Sequence, residues 1–186
     1  MEPRPYHHGD LRTALIHEGL RLLEEKRGEE PSLREVARRT GVSATAVYRH
    51  FPDKQALMAA LAQQGLQQLA SVQNAASDSV GGGDEGFAAT GRAYVRFALA
   101  HPALFRLIFT SPVLAAVRED GVLDSDAGAL LYANAAAFAA HAGGEAHARA
   151  IRAWSLVHGL AMLMLDGQIP ADEALIDQLI RVQVPV

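Results

Sequence analysis

Hydrophobic positions recur at three- and four-residue intervals along most of the chain, and no stretch alternates for long enough to predict a strand. Leu11, Leu15, Gly19, Leu22 and Leu23 share one face of a first helix, predicted to open after Asp10, carry Lys26 and Arg27 in its last turn and stop at Gly28. Cations in a last turn suit the negative end of the helix dipole. Ser32-Leu33-Arg34-Glu35 has the form of a capping box, in which the serine oxygen accepts from the Glu35 amide and the glutamate reaches back to the Ser32 amide. The helix it opens has room for roughly two turns before Thr40-Gly41, where glycine enters the left-handed cap conformation cheaply. Ser43 caps a third helix, with Val42 and Val47 in the positions of a hydrophobic staple. Phe51-Pro52-Asp53 ends that helix and caps a fourth, predicted from Lys54 to about Ala76.

Residues 77–86, Ser-Asp-Ser-Val-Gly-Gly-Gly-Asp-Glu-Gly, read as a flexible linker, and the chain beyond them is helical again and richer in alanine and leucine. His101-Pro102 and Ser111-Pro112 place proline at a first helical position, whereas Gly143-Gly144 and Asp166-Gly167 mark stops. The inner part of Glu145 to Leu165 is apolar on nearly all sides, which predicts burial by more than one neighbour. Val182 to Val186 is too short for a strand and contains Pro185. The pattern predicts an all-α chain of about nine helices without internal repeats. A three-helix domain occupies residues 1–60, its fourth helix continuing to about 76, and a larger helical domain follows the linker over 87–186.

With 186 residues, 49% of them apolar, the chain can bury a core without a disulfide or metal staple. It has no cysteine, which removes thiolate nucleophiles and Cys-based metal sites. The longest apolar runs, such as Leu160 to Leu165, are far shorter than a bilayer span, and Met1 to Pro5 lead into His7-His8 instead of an apolar signal core. The expectation is a cytoplasmic protein without membrane contact. A net charge of −4 argues against a protein that coats nucleic acid by bulk electrostatics. Residues 1–60, however, hold 10 Lys/Arg against 9 Asp/Glu, and the remainder 7 against 12, so the polyanion-tolerant part is the first third.

Two short helices joined through a glycine turn, the second too polar at its start to be core, make a helix-turn-helix. Ala37, Gly41 and Val47 stand at the spacing of its small residue, turn glycine and buried branched residue. Ser32 to Ala37, Gly41-Val42-Ser43 and Val47-Tyr48-Arg49-His50-Phe51-Pro52-Asp53-Lys54 resemble the N-terminal domain of TetR-family transcriptional regulators over about residues 9–60, most specifically in Tyr-x-His-Phe-x-x-Lys. The resemblance implies binding to double-stranded operator DNA. Ser43, Ala44 and Thr45 would lie nearest the base edges, Tyr48 and His50 would donate to phosphates, and Lys54 would add a point charge. Ser32 and Arg34 are further phosphate candidates; Arg49 is open to groove or solvent, and Arg38 and Arg39 read as a solvated face. Ala44-Thr45-Ala46 offers few groups for bidentate base contacts, so thymine methyls and DNA shape would carry more of the specificity.

The C-terminal region resembles a companion module. His101 to Phe109 and Trp154-Ser155-Leu156-Val157-His158-Gly159 are similar to the regulatory domain named for its Trp-His-Gly signature in one subgroup of TetR-like regulators. This implies a small effector held inside the domain and a homodimer through about residues 145–165 and 171–183. Trp154, His158 and Met162 recur every four residues, as do Phe97, His101 and Phe105 near the proline break. Together with Phe138 they are the candidate lining of a pocket for an apolar ligand with a polar group. The same stripes also describe plain core, with a buried histidine satisfied by a neighbouring carbonyl.

Enzymatic motifs are lacking. His17-Glu18-Gly19-Leu20-Arg21 begins like a zincin helix but has Arg21 where the second metal-binding histidine must stand. Gly81, Gly83 and Gly86 match a dinucleotide fingerprint only formally: no strand precedes them, and Asp84 and Glu85 would repel a pyrophosphate. No metal or cofactor is predicted. The leading reading is a repressor relieved by a small molecule. The alternatives are a helix-turn-helix regulator without such a ligand, constitutive, architectural or protein-partnered, and a helical enzyme using His and carboxylates.

Overall fold

The computed structural model describes the backbone of residues 8–110 and 146–181. Among these residues there are eight helices and no strand: α1 (His8–Glu25), α2 (Leu33–Thr40), α3 (Ala44–Tyr48), α4 (Lys54–Ser79), α5 (Gly83–Ala100), α6 (Pro102–Thr110), α7 (Ala146–Leu165) and α8 (Glu173–Arg181). The predicted breaks at Ser111-Pro112 and Gly143-Gly144, and the tail from Val182, lie outside the described residues.

The caps explain most of these boundaries. Ser32 Oγ accepts from the Glu35 amide at 3.2 Å, Ser43 Oγ from Ala46 at 3.2 Å and Asp53 Oδ1 from Ala56 at 2.7 Å. Gly41 takes φ 75°, and the next amide, of Val42, donates to the Ala37 carbonyl at 3.0 Å. Only half of the predicted capping box forms this way. The Glu35 carboxylate turns to Lys26 Nζ at 2.8 Å, which lowers the Glu35 pKa and raises that of Lys26. α1 starts at His8 and stops at Glu25, so Lys26 and Arg27 lie past its end. The reversal comes at Arg27, φ 54°, and Gly28, φ 96°, whose amide returns to the Leu23 carbonyl at 2.9 Å.

α4 runs to Ser79 and α5 opens at Gly83, so within the expected 77–86 connector the chain turns at Val80 to Gly82. The two helices lie close beside this turn: a Cβ added to Gly86 would stand 2.6 Å from Ser77 Oγ.

One core cluster runs from Leu15, Leu22, Leu23, Val36, Val47 and Phe51 through Leu57 and Leu61 to Leu104, Phe105 and Ile108. Each such side chain contributes about 1.5–3 kcal/mol by leaving water. α6 sits closely on α4 because position 65 is glycine, where a Cβ would meet Leu104 Cδ1 at 2.6 Å. A second cluster joins α5, α7 and α8 through Ala88, Val95, Leu160, Met164, Ile176 and Ile180. α7 packs against more than one neighbour, as its apolar pattern predicts: it joins the main core beside α5 and α6 and the second cluster beside α8, while one face stays open. Leu160, Ala161 and Met164 face inward, while Ile151, Trp154 and Leu163 remain 47%, 43% and 46% exposed. No helix among the described residues is long and apolar enough to cross a membrane.

Candidate nucleic-acid interface and the aromatic layer behind it

α3 is anchored by a single fully buried side chain, Val47, and by Phe51 just beyond it. Ser43, Thr45, Tyr48 and Arg49 are left exposed, with Ala44, Ala46 and His50 half-buried. The start of α2, the end of α3 and the start of α4 enclose an open groove of about 390 Å³ lined by Ser32, Leu33, Arg34, Tyr48, Pro52, Asp53 and Lys54. Four of the predicted contact residues, Ser32, Arg34, Tyr48 and Lys54, therefore meet in one depression. The other five, Ser43, Ala44, Thr45, Arg49 and His50, lie outside its lining, on α3 or directly beside it.

The cations near this surface differ in how they are held. Arg39, read as part of a solvated face, bonds Glu18 at 2.7 Å and Glu25 at 2.9 and 3.0 Å, clamping α2 to α1. These bonds raise its pKa. Arg12 lies over the Phe51 ring, 5.4 Å from its centroid. Lys54 Nζ is 2.7 Å from Glu30 Oε2, whereas Arg34 has no carboxylate partner among the described residues.

The C-terminal candidates divide into separate groups. Trp154 Nε1 donates to Tyr94 Oη at 3.3 Å, and that hydroxyl lies 2.9 Å from His158 Nδ1. A hydroxyl that accepts from Trp154 has its own proton for Nδ1, which assigns the imidazole proton to Nε2. Burial raises the Tyr94 pKa, partly offset by the Trp154 bond, and lowers that of His158, so both groups are held neutral. Phe109 and Phe105 close around the histidine at centroid distances of 4.7 and 5.6 Å. Phe97 instead pairs with the exposed His101 at 5.0 Å, and Met162 packs against the main core. Phe138 lies outside the described residues.

Sequence spacing joins Phe97 to Phe105, but the helix does not continue between them: His101 takes φ −131° and ψ 61°, and Pro102 opens a new helix. Tyr94 and Phe109, which complete the ring cluster, were not singled out. Phe109 carries a signal that could have found it, since it continues the stripe of Phe97, His101 and Phe105 at the same four-residue spacing, whereas Tyr94 falls outside both stripes. Among the described residues no group of three or more metal-ligating side chains occurs.

α6 touches both regions. Glu24 Oε1, on α1, accepts from the Leu104 amide at 3.1 Å, while Arg106 reaches Asp166, just after α7, at 2.6 Å.

Known proteins share this arrangement. The model described as "Bacterial regulatory proteins, tetR family" matches residues 15–61, and "Tetracyclin repressor-like, C-terminal domain" matches residues 87–184. A protein of unknown function from Rhodococcus sp. RHA1 is 31% identical, with a TM-score of 0.75 over 97% of this chain and 94% of that one. SCO4313, assigned a regulatory role, is 25% identical, with a TM-score of 0.72 over 98% and 99%. The multidrug binding protein EbrR, solved with imidazole, shares the fold at 22% identity and a TM-score of 0.65, covering 100% and 98%. No curated protein matches the sequence.

Proposed function

The chain belongs to the TetR family of bacterial regulatory proteins, a family of DNA-binding transcriptional regulators, and from that premise we propose that it is a homodimeric cytoplasmic repressor released from its operator by a small apolar effector. Residues 1–60 form the DNA-binding unit and 87–186 the regulatory and dimerisation unit. Ser43, Ala44 and Thr45 approach the base edges. Tyr48, His50 and Lys54 hold phosphates, assisted by Ser32 and Arg34, and Arg49 lies at the edge of the contact. The exposed Ile151 and Leu163 support pairing through α7, with α8 beside it. Trp154-Ser155-Leu156-Val157-His158-Gly159 supports membership of the Trp-His-Gly subgroup.

The observation that carries the regulatory part is the position of α6. Its Phe105 and Phe109 pack on His158, while its Leu104 amide is capped by Glu24 of α1. A ligand that displaces these rings shifts the helix on which α1 is seated. It thereby favours a spacing of the two α3 helices that no longer fits successive major grooves.

A second reading, a regulator without a small-molecule ligand, is favoured by the packing itself, since Tyr94 and Phe105 are 1% and 0% exposed. The two readings separate by titrating apolar compounds against Trp154 fluorescence, with and without a duplex obtained by selection. A true effector is bound more weakly by the operator complex, by about 1–3 kcal/mol, and weakens operator binding by the same factor. Ligand affinities unchanged by operator would favour the second reading.

A further inference from the structure

We propose that Glu30 competes internally for the phosphate contact of Lys54, acting as an acidic brake that weakens binding to every DNA sequence and flattens its salt dependence. This rests on the reading of Lys54 as a phosphate contact. Glu30 belongs to the turn between α1 and α2, and its Oε2 lies 2.7 Å from Lys54 Nζ on the rim of the groove. The side chains are 51% and 48% exposed, and a pair so open to water contributes little to folding. Its consequence falls instead on whatever next approaches the ammonium.

The other charges of the groove are disposed differently. The Asp53 carboxylate is spent on the Ala56 amide at 2.7 Å and caps α4 whether or not DNA is bound. Arg34 has no carboxylate partner among the described residues. Of the two cations lining the groove, one is free and the other is already paired. A phosphate that takes Lys54 must displace Glu30 and leave a carboxylate beside the DNA backbone, well inside the Debye length of about 8 Å at physiological salt. Lys54 releases about one condensed counterion on meeting a phosphate, whereas the freed Glu30 takes up a cation. Together they add almost nothing to the salt slope, although Lys54 alone would add about one.

The test is fluorescence anisotropy of the full-length protein with a labelled duplex of arbitrary sequence across a salt series, for Glu30→Gln, Lys54→Ala and the double variant. Glu30→Gln is expected to bind roughly 2- to 5-fold tighter, with a slope steeper by about one per protomer in contact. In the Lys54→Ala background the same change should gain clearly less, because no ammonium is released. Thermal unfolding followed by circular dichroism should match wild type for all three. Unchanged affinity and slope in Glu30→Gln would overturn the proposal. So would an equal gain without Lys54, which would make Glu30 an ordinary surface charge. Lys54→Ala binding like wild type, together with a double variant that binds like Glu30→Gln, would overturn the underlying reading of Lys54, because an unpaired Lys54 would then contribute nothing.

Discussion

The helix-turn-helix and the aromatic layer hold their polar groups in opposite ways. Around α2 and α3 the polar side chains serve the backbone three residues away, as Ser32, Ser43 and Asp53 do. Apolar anchors as few as Val47 and Phe51 then leave Thr45 and Tyr48 facing outward, with Ala44 and Ala46 half-buried. Between α5, α6 and α7, by contrast, Trp154, Tyr94 and His158 satisfy one another among packed rings across 60 and 64 residues of sequence. The first arrangement is suited to reading, because its functional groups are free while its backbone is fixed. The second is suited to responding, because its polar chain and its packing change together.

The widest separation of the two regions should come from Phe105→Ala. Removing a fully buried ring is expected to cost about 3–5 kcal/mol in urea unfolding. Arg34→Ala, at an exposed groove position, should leave the urea midpoint unchanged while weakening duplex binding. Equal midpoints for the two variants would erase the distinction.

Tyr94→Phe follows. Losing the hydroxyl leaves both Trp154 Nε1–H and His158 Nδ1 without their partner, at about 1–3 kcal/mol. The emission of Trp154, the only tryptophan, should shift as well. A stable variant with unaltered emission would mean that the hydrogen-bonded chain contributes nothing.

A pH effect of smaller size sharpens the contrast. Burial lowers His158 below its ordinary value of 6.5, so on acidification the unfolded chain takes up this proton before the native one does. The contribution is fully present above pH 6.5 and is lost as the pH falls through the depressed folded value. His158→Gln should flatten stability against pH in that window, with the imidazole resonance in NMR giving the midpoint. A midpoint at or above 6.5 would contradict burial as the governing cause.

The mildest test lies in the N-terminal clamp. Arg39→Ala, which removes bonds to Glu18 and Glu25 at 31% side-chain exposure, should lower the urea midpoint only slightly, and less still in high salt. A larger loss would mean that the clamp, not the apolar core, holds α2 to α1.

The same contrast decides what could be read from sequence. The three serine and aspartate caps, the Gly41 turn and the buried Val47 depend on neighbours within a few residues, and each appears in the structure where spacing puts it. The Glu35 side chain was misassigned to the Ser32 amide because a partner nine residues back, Lys26, reaches it with full charge. Pocket candidates fared less well: Trp154 and His158 do meet, but through Tyr94, and Phe97 with His101 lies apart. Such partners are chosen by helix packing, to which local periodicity is blind. Glu30 was likewise invisible, since nothing in Glu29-Glu30-Pro31 says that Lys54 folds back onto it.

The central claim, that the outward face of α3 reads DNA in a two-fold dimer, is tested most directly by selecting bound fragments from a random duplex pool and footprinting the enriched site. The account predicts a palindromic or near-palindromic site whose half-sites are separated by whole turns of the duplex, with protection altered at matching positions in both halves by a change at Thr45. Protection of one asymmetric half-site by a monomer, or a pool left unenriched, would contradict it.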